Sequence, residues 1–172
     1  MDRVDKAIGS LRLDGRGLEI GPSYSPLLPK SSGRRVETVD HLSRDELVVK
    51  YRGWDLPEDK IAAIEDVDHV WSGGSLLEAI PDHGAYDYVI ASHLLEHTVD
   101  LVGFLADCAG LLVPGGRLAL VLPDKRYSFD LFRPLTTLGD VVDAHVAPSR
   151  FHSWQSFGRD ASAAWKQSFA CS

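Results

Sequence analysis

Between residues 17 and 122, short and nearly continuous apolar runs alternate with stretches whose apolar residues recur at helical spacing. Leu18-Glu19-Ile20, Val36 to Asp40, Val67 to Trp71, Tyr86 to Ala91 and Arg117 to Leu122 are rich in branched and aromatic side chains, and each is predicted to be a strand. Residues 43–51 open on Ser43, a helix-capping residue type, and are predicted to be helical, as is the short run Ser75 to Ile80. Residues 94–112 place Leu94, Leu95, Val99, Leu101, Val102, Leu105, Leu111 and Leu112 at helical spacing. A further short helix is expected over residues 2–9, ended by Gly9, and Pro114-Gly115-Gly116 is expected to be a purely structural turn. Strands that are apolar on both faces and separated by helices form parallel sheets covered on both sides, so the pattern predicts a doubly wound α/β domain.

The pattern changes after Pro123, where no convincing strand follows. Residues 138–146 are predicted to form a helix, and Phe151, Trp154, Phe157, Trp165 and Phe169 punctuate a polar stretch beyond it. The expected division is therefore a core over residues 1–135 and a helical and aromatic segment over 136–172. With 172 residues, 44% of them hydrophobic and 25% charged, the chain has the composition of one globular domain. Its net charge of −7 provides no general attraction to nucleic acid or to an anionic membrane. The basic pair Arg34-Arg35 is read as solvated surface. The two cysteines, Cys108 in an apolar run and Cys171 near the end, suggest neither a disulfide framework nor a metal site. No run approaches the ~18 apolar residues of a membrane span, and the first residues carry no secretory pattern, so the default expectation is a cytoplasmic protein.

Candidate chemistry sits at the strand ends, because open parallel sheets bind ligands at the carboxyl ends of their strands where the strand order reverses. The first predicted strand runs into Glu19-Ile20-Gly21, and the second ends in Asp40 about 20 residues later, the spacing of a ribose contact in a nucleotide site. A carboxylate at Asp40 can accept hydrogen bonds from both ribose hydroxyls, and Gly21 lets backbone approach a ligand closely. A single glycine followed by Pro22, Ser23, Tyr24, Ser25 and Pro26 is not the G-x-G-x-x-G loop that cradles a pyrophosphate, so a dinucleotide is disfavoured. Structural alternatives stand beside this: Glu19 as a strand-end surface residue, Asp40-His41 as a cap of the following helix, and Gly73-Gly74 as a tight turn.

The segments LEIGP, VDH, YDYVIASHLLEH and LLVPGGRLALVLPD occur in the order and at the spacing of class I S-adenosylmethionine (SAM)-dependent methyltransferases. The stretch from Tyr86 to Pro123 resembles the fourth strand, following helix and fifth strand of the small-molecule methyltransferases labelled type 11. The resemblance covers roughly residues 15 to 135 and implies a Rossmann-like, mostly parallel sheet in a single domain with S-adenosyl-L-methionine as cofactor. It further implies that Glu19, Gly21 and Pro22 lie beside the methionine moiety, with the Glu19 carboxylate attracting its ammonium directly or through water. Asp40 would take the ribose hydroxyls, with His41 close to the adenosine. Ser72, Gly73 and Gly74 would stand near adenine, Ser72 occupying a position where many relatives carry Asp. Ser92 and His93 would face the methyl-donor side.

His93-Leu94-Leu95-Glu96-His97 also spells H-x-x-E-H, a zinc-protease pattern that would put two histidines on one helical face. That chemistry wants a further ligand, usually a downstream Glu, and no Glu follows Glu96; no metal is expected. Within the methyltransferase reading, His93 and His97 are candidate general bases. Tyr24, Tyr127, Phe129 and Phe132 are candidates for an acceptor pocket or for core. The family's antiparallel sixth and seventh strands have no counterpart in the pattern, which would leave the fifth strand as a sheet edge covered by the aromatic segment or by a second copy in a homodimer. The implied function is methyl transfer to an O or N nucleophile of a small-molecule or sugar-like acceptor. The alternative is a catalytically degenerate SAM-binding domain that serves as a partner or regulatory subunit.

Overall fold

Five parallel strands form one sheet in the order β3-β2-β1-β4-β5. They are β1 (Gly17–Ile20), β2 (Val36–Asp40), β3 (His69–Val70), β4 (Tyr86–Ser92) and β5 (Leu112–Val121). The computed structural model describes residues 3–9, 11–127 and 134–147. Helices α1 (Arg3–Ile8), α2 (Arg44–Arg52), α3 (Glu58–Ala62), α4 (Leu76–Ala79), α5 (Leu101–Leu111) and α6 (Leu138–Val146) complete the set. The doubly wound, Rossmann-like α/β expectation is met. The order reverses at β1, which pairs with β2 on one side and β4 on the other.

All four residues of β1 are buried, as a central strand covered on both faces requires. Alternation along the strands splits the core. Leu18, Ile20, Val39, Val89 and Ala91 pack against Leu76 of α4 and Phe104, Cys108 and Leu111 of α5. On the other face Val36, Tyr88 and Ile90 meet Ile8 of α1 together with Leu27 and Leu28 from the loop after β1. Leu47 and Tyr51 of α2 join Ile61 of α3 and Ile64 in a third cluster. Cys108 is a buried free thiol whose pKa burial pushes up to about 12, in keeping with a small core residue rather than a nucleophile.

Several local expectations are corrected. The third strand pairs only through His69 and Val70. The predicted helix over 94–112 is interrupted: a 3-10 turn at Leu95–His97 ends in extended backbone at Thr98, and the α-helix begins at Leu101. Pro114-Gly115-Gly116 does not precede the fifth strand but lies within it as a bulge. Tyr86 pairs with Leu112 and Tyr88 with Arg117, so the residues between bulge out around Gly115 at φ +82°. Helix α3 is short and largely charged, with no apolar periodicity that predicts it.

Among the described residues no strand lies beyond β5, which pairs with β4 alone. The contacts of the chain define two compact units. The first comprises residues up to Thr98 with Gly103–Pro123, and the second begins at Asp124 and takes in Val99–Val102. In the second unit, α6 starts with a capping box between Thr137 and Asp140, and His145 Nδ1 lies 3.0 Å from Asp100 Oδ1. The aromatic residues from Phe151 onward, and Phe129 and Phe132, lie outside the described residues.

At the amino ends of the strands a polar network ties β1, β2, β3 and β4 together. Glu37 accepts hydrogen bonds from Arg16 Nε (2.7 Å) and the Tyr86 hydroxyl (2.8 Å), and also lies close to Arg16 Nη2 (2.6 Å) and His69 Nε2 (3.0 Å). Burial pushes the Glu37 carboxyl up, but the hydrogen bonds from His69, Tyr86 and Arg16 together outweigh it and hold the pKa below its ordinary value. Burial, with the Glu37 hydrogen bond second, pushes the Tyr86 phenol well above its ordinary range.

Two predictions follow the packing. A Cβ on Gly17 would sit 2.0 Å from ring atoms of Tyr88, so Gly17→Ala must displace a fully buried ring. It should cost about 2 kcal/mol or more, read as a lowered urea midpoint with unchanged slope. Because the Glu37 pKa is lower folded than unfolded, its contribution to stability is complete above about pH 4.3 and is lost as pH falls through the folded value. Unfolding midpoints should therefore drop between about pH 5 and pH 3 in the wild type, and drop less in Glu37→Gln.

Candidate functional site

Two buried carboxylates stand at the carboxyl ends of the neighbouring strands β1 and β2. Glu19 is 1% exposed and Asp40 4%. The ladder continues one step beyond β1, where Gly21 N–H donates to the Val39 carbonyl at 2.7 Å and brings the turn beside Asp40. Gly21 has φ +71° and Ser23 φ +51°, a left-handed geometry that glycine adopts freely and serine only under strain. An added Cβ at Gly21 would meet the Leu94 side chain at 3.5 Å, so the glycine is needed for its backbone rather than for lack of space.

Both carboxylates accept backbone hydrogen bonds from the loop after β1. Glu19 Oε1 accepts from Leu27 N (2.7 Å) and Oε2 from Leu28 N (3.0 Å). The alternation that sends Leu18 and Ile20 to one face turns Glu19 to the other, where this loop packs. Asp40 Oδ2 accepts from Ser23 N at 2.9 Å. Asp40 Oδ1 accepts from the His41 backbone N–H at 2.8 Å and lies 2.6 Å from the His41 ring Nδ1. Each buried carboxylate is thus met by hydrogen-bond donors, as buried polar groups require.

The loop is also held from the side by α2. The Ser23 hydroxyl donates to the Tyr51 hydroxyl at 2.5 Å, and Tyr51 packs edge-on against Tyr24 and Trp54. Lys50 Nζ lies 2.8 Å from His41 Nε2 and 5.1 Å from the centre of the Trp54 ring. Tyr24 therefore joins this aromatic group, whereas Tyr127 is 88% exposed.

The residues after β3 form a glycine turn. Gly73 and Gly74 have φ +119° and +79°, and the Gly74 carbonyl accepts from the Trp71 indole at 3.1 Å. Ser72 is exposed beside them. The end of β4 presents Ser92, whose Oγ is buried without a hydrogen-bond partner among the described residues. His93 follows at φ +53°, its backbone N–H bound to the Val121 carbonyl at 2.9 Å. Its ring is 53% exposed, with Nδ1 3.5 Å from Glu96 Oε1. His93 precedes the 3-10 turn and His97 ends it, so the H-x-x-E-H residues do not share one α-helical face. Among the described residues no three His, Cys, Asp or Glu side chains gather as a metal site.

Sequence reasoning placed Glu19, Gly21, Pro22, Asp40 and His41 in one region, and the structure brings Gly21 and His41 to Asp40. It missed Ser23, Lys50, Tyr51 and the amides of Leu27 and Leu28. The only hint was a helix of mixed polarity starting soon after Asp40. At the opposite, amino end of the sheet, an open cavity of about 290 Å³ is lined by Arg16, Lys30, Arg34, Arg35, Val36 and Glu37. Arg16 there is paired with Glu37 and Asp82, and Lys30 with Asp68.

Residues 1–165 match the profile of a family described as a methyltransferase domain. The chain belongs to this methyltransferase family. S-adenosyl-L-methionine is the methyl donor that this membership implies. The human mitochondrial ubiquinone biosynthesis O-methyltransferase is 34% identical over 83 residues, which are 47% of this chain and 22% of that protein. The chain thus spans less than a quarter of the length of this relative. Among solved structures, a SAM-dependent methyltransferase from Aquifex aeolicus is 15% identical with a TM-score of 0.49, covering 81% of this chain and 71% of that one. The YcgJ protein from Bacillus subtilis is 20% identical with a TM-score of 0.43, covering 68% and 47%. No helix among the described residues is long and apolar enough to cross a membrane.

The hydrogen bonds of Glu19 set up a direct test of the loop. Glu19→Gln keeps the size of the side chain but turns an amide donor toward one of two buried N–H groups. It should cost about 2–3 kcal/mol in urea unfolding, whereas Glu96→Gln, on the exposed turn, should stay within about 0.5 kcal/mol of wild type.

Proposed function

We propose that this chain binds S-adenosyl-L-methionine at the carboxyl ends of β1, β2 and β4 and is part of an enzyme that methylates an O or N nucleophile of a small acceptor. The observation that carries this reading is the pairing of a buried Asp40 carboxylate with the left-handed Gly21–Ser23 turn, at the point where the sheet order reverses. The human relative is named an O-methyltransferase, which favours an oxygen acceptor.

The residues present fit such a ligand, with one refinement for Asp40. A carboxylate has about four lone-pair sites, and three on Asp40 already face donors from Ser23 and His41. Asp40 then accepts one ribose hydroxyl through Oδ2 rather than both. Glu19 serves the cofactor through the loop: its two oxygens face Leu27 and Leu28, so it shapes the turn beside the methionine moiety. Pro22 holds the rim of that turn, where its carbonyl accepts from Ser25 N at 2.9 Å. The exposed backbone of Ser72, Gly73 and Gly74 offers hydrogen-bonding groups to adenine. The unpartnered Ser92 hydroxyl offers a donor at the end of β4.

When bound, the cofactor supplies a methyl group on a sulfonium, a good leaving group, so positioning of the acceptor carries much of the rate. His93 is the proposed base. Its ring reaches solvent at the end of β4 with Nδ1 3.5 Å from Glu96 Oε1, which leaves Nε2 to take the proton of the acceptor O–H or N–H. His97, at the end of the exposed turn, is the weaker candidate.

Isothermal titration with SAM and with S-adenosylhomocysteine should show binding of both by the wild type. Asp40→Ala should weaken each by about tenfold or more, the loss of one charge-assisted hydrogen bond and of the ordered turn. Absence of binding by the wild type at high micromolar ligand would defeat the cofactor assignment. Binding without S-adenosylhomocysteine release across a panel of phenols, alcohols and amines would favour the degenerate domain.

A further inference from the structure

The contacts around Asp40 close into a ring. Asp40 holds Ser23 N, the Ser23 hydroxyl holds Tyr51, the Lys50 ammonium lies over the Tyr51 ring at 5.6 Å, and Lys50 contacts His41, which returns to Asp40. The ammonium of Lys50 has only protons to offer, so His41 Nε2, 2.8 Å away, must be the acceptor. A neutral imidazole carries one N–H, and here it must then sit on Nδ1, where it donates to Asp40 Oδ1 at 2.6 Å. Lys50 and Asp40 thereby select the same tautomer from opposite sides of the ring, and with both contacts made His41 occupies Asp40 Oδ1 and leaves a lone pair on Oδ2 open. If the ring carried its proton on Nε2 instead, a bare Nδ1 would face the carboxylate and the two would repel.

We infer that Lys50, acting through His41, is a positioning residue that orients the Asp40 carboxylate so that Oδ2 is offered to a ribose hydroxyl. This inference rests on the proposed SAM site, which it deepens by naming what sets ribose selectivity. Lys50 lies on the last turn of α2, away from the strand ends that carry the other candidate residues. It has no part in forming the sheet, so its effect on ligand choice is separable from its effect on folding.

The test compares the full-length wild type with Lys50→Met and Lys50→Arg. Nitrogen-15 spectra of the imidazoles should show His41 as the Nδ1–H tautomer in wild type and as a mixture of tautomers in Lys50→Met, where the ring, no longer held on its Nε2 side, turns away from Asp40. Competition against S-adenosylhomocysteine by adenosine and by 2′,3′-dideoxyadenosine isolates the contribution of the hydroxyls. Lys50→Met should lower the preference for adenosine by about fivefold while leaving the dideoxy compound unchanged, and Lys50→Arg, which also has only donors to offer His41, should restore part of it. Equal weakening of both nucleosides in Lys50→Met would mean that Lys50 merely supports α2, and would overturn the inference. So would an unaltered preference, or wild-type His41 with its proton on Nε2, even while S-adenosylhomocysteine binding left the parent reading intact. Failure of the wild type to bind S-adenosylhomocysteine at all would overturn the parent reading and this inference together.

Discussion

The loop between Gly21 and Leu28 is held by carboxylates at the ends of two adjacent strands, and much of the molecule depends on that arrangement. Glu19 and Asp40 are almost fully buried, and polar groups left there without hydrogen-bond partners would be costly. Backbone N–H groups of Ser23, Leu27 and Leu28 remove that cost. In return the loop is pinned so that Leu27 and Leu28 pack over Val36, Tyr88 and Ile90. The same hydrogen bonds therefore close one face of the core and shape the turn beside Asp40. Site and core are not separable here, because one loop serves both.

The two ends of the sheet divide the remaining polar work. At the amino ends Glu37 gathers Arg16, Tyr86 and His69 and ties four strands together, with its acceptor capacity turned inward. At the carboxyl ends the polar groups are arranged differently. Asp40 retains a lone pair, Ser92 Oγ has no partner among the described residues, and His93 is held in left-handed backbone with its ring exposed. Satisfied groups stabilise; groups left open, or strained backbone, are what a binding site keeps in reserve. This asymmetry agrees with the place where open α/β sheets bind their ligands.

Much of the fold was legible because burial and turn chemistry are written locally. The runs around Ile20, Val39 and Ile90 are apolar enough to be central strands, and Ser43 does begin a helix with Glu46 closing its capping box. The errors fall where tertiary context overrode a local pattern. Apolar spacing over residues 94–112 suggested one long helix, yet left-handed His93 and extended Thr98 divide it between a tight turn and α5. Pro114-Gly115-Gly116 carries a turn signature that a bulge within β5 uses equally well. Helix α3, short and charged, has no periodicity strong enough to announce it. At the site, the acidic residues at the two strand ends were visible from their spacing, and the family resemblance pointed to the same positions. Lys50 and Tyr51 were not, since nothing in a surface-like helix says which strand end it will face.

By itself the sequence determined the succession of strands and helices, the parallel sheet, and the presence of an acidic residue at the end of each of the first two strands. These follow from periodicity, capping and glycine placement, which act over a few residues. Only the tertiary structure decided the partners of those carboxylates: Leu27 and Leu28 for Glu19, and Ser23 with a His41 oriented by Lys50 for Asp40. The reason is geometric. A hydrogen bond depends on distance and direction between groups from different elements, and those are set when the strands take their order and the helices pack, not by spacing along the chain.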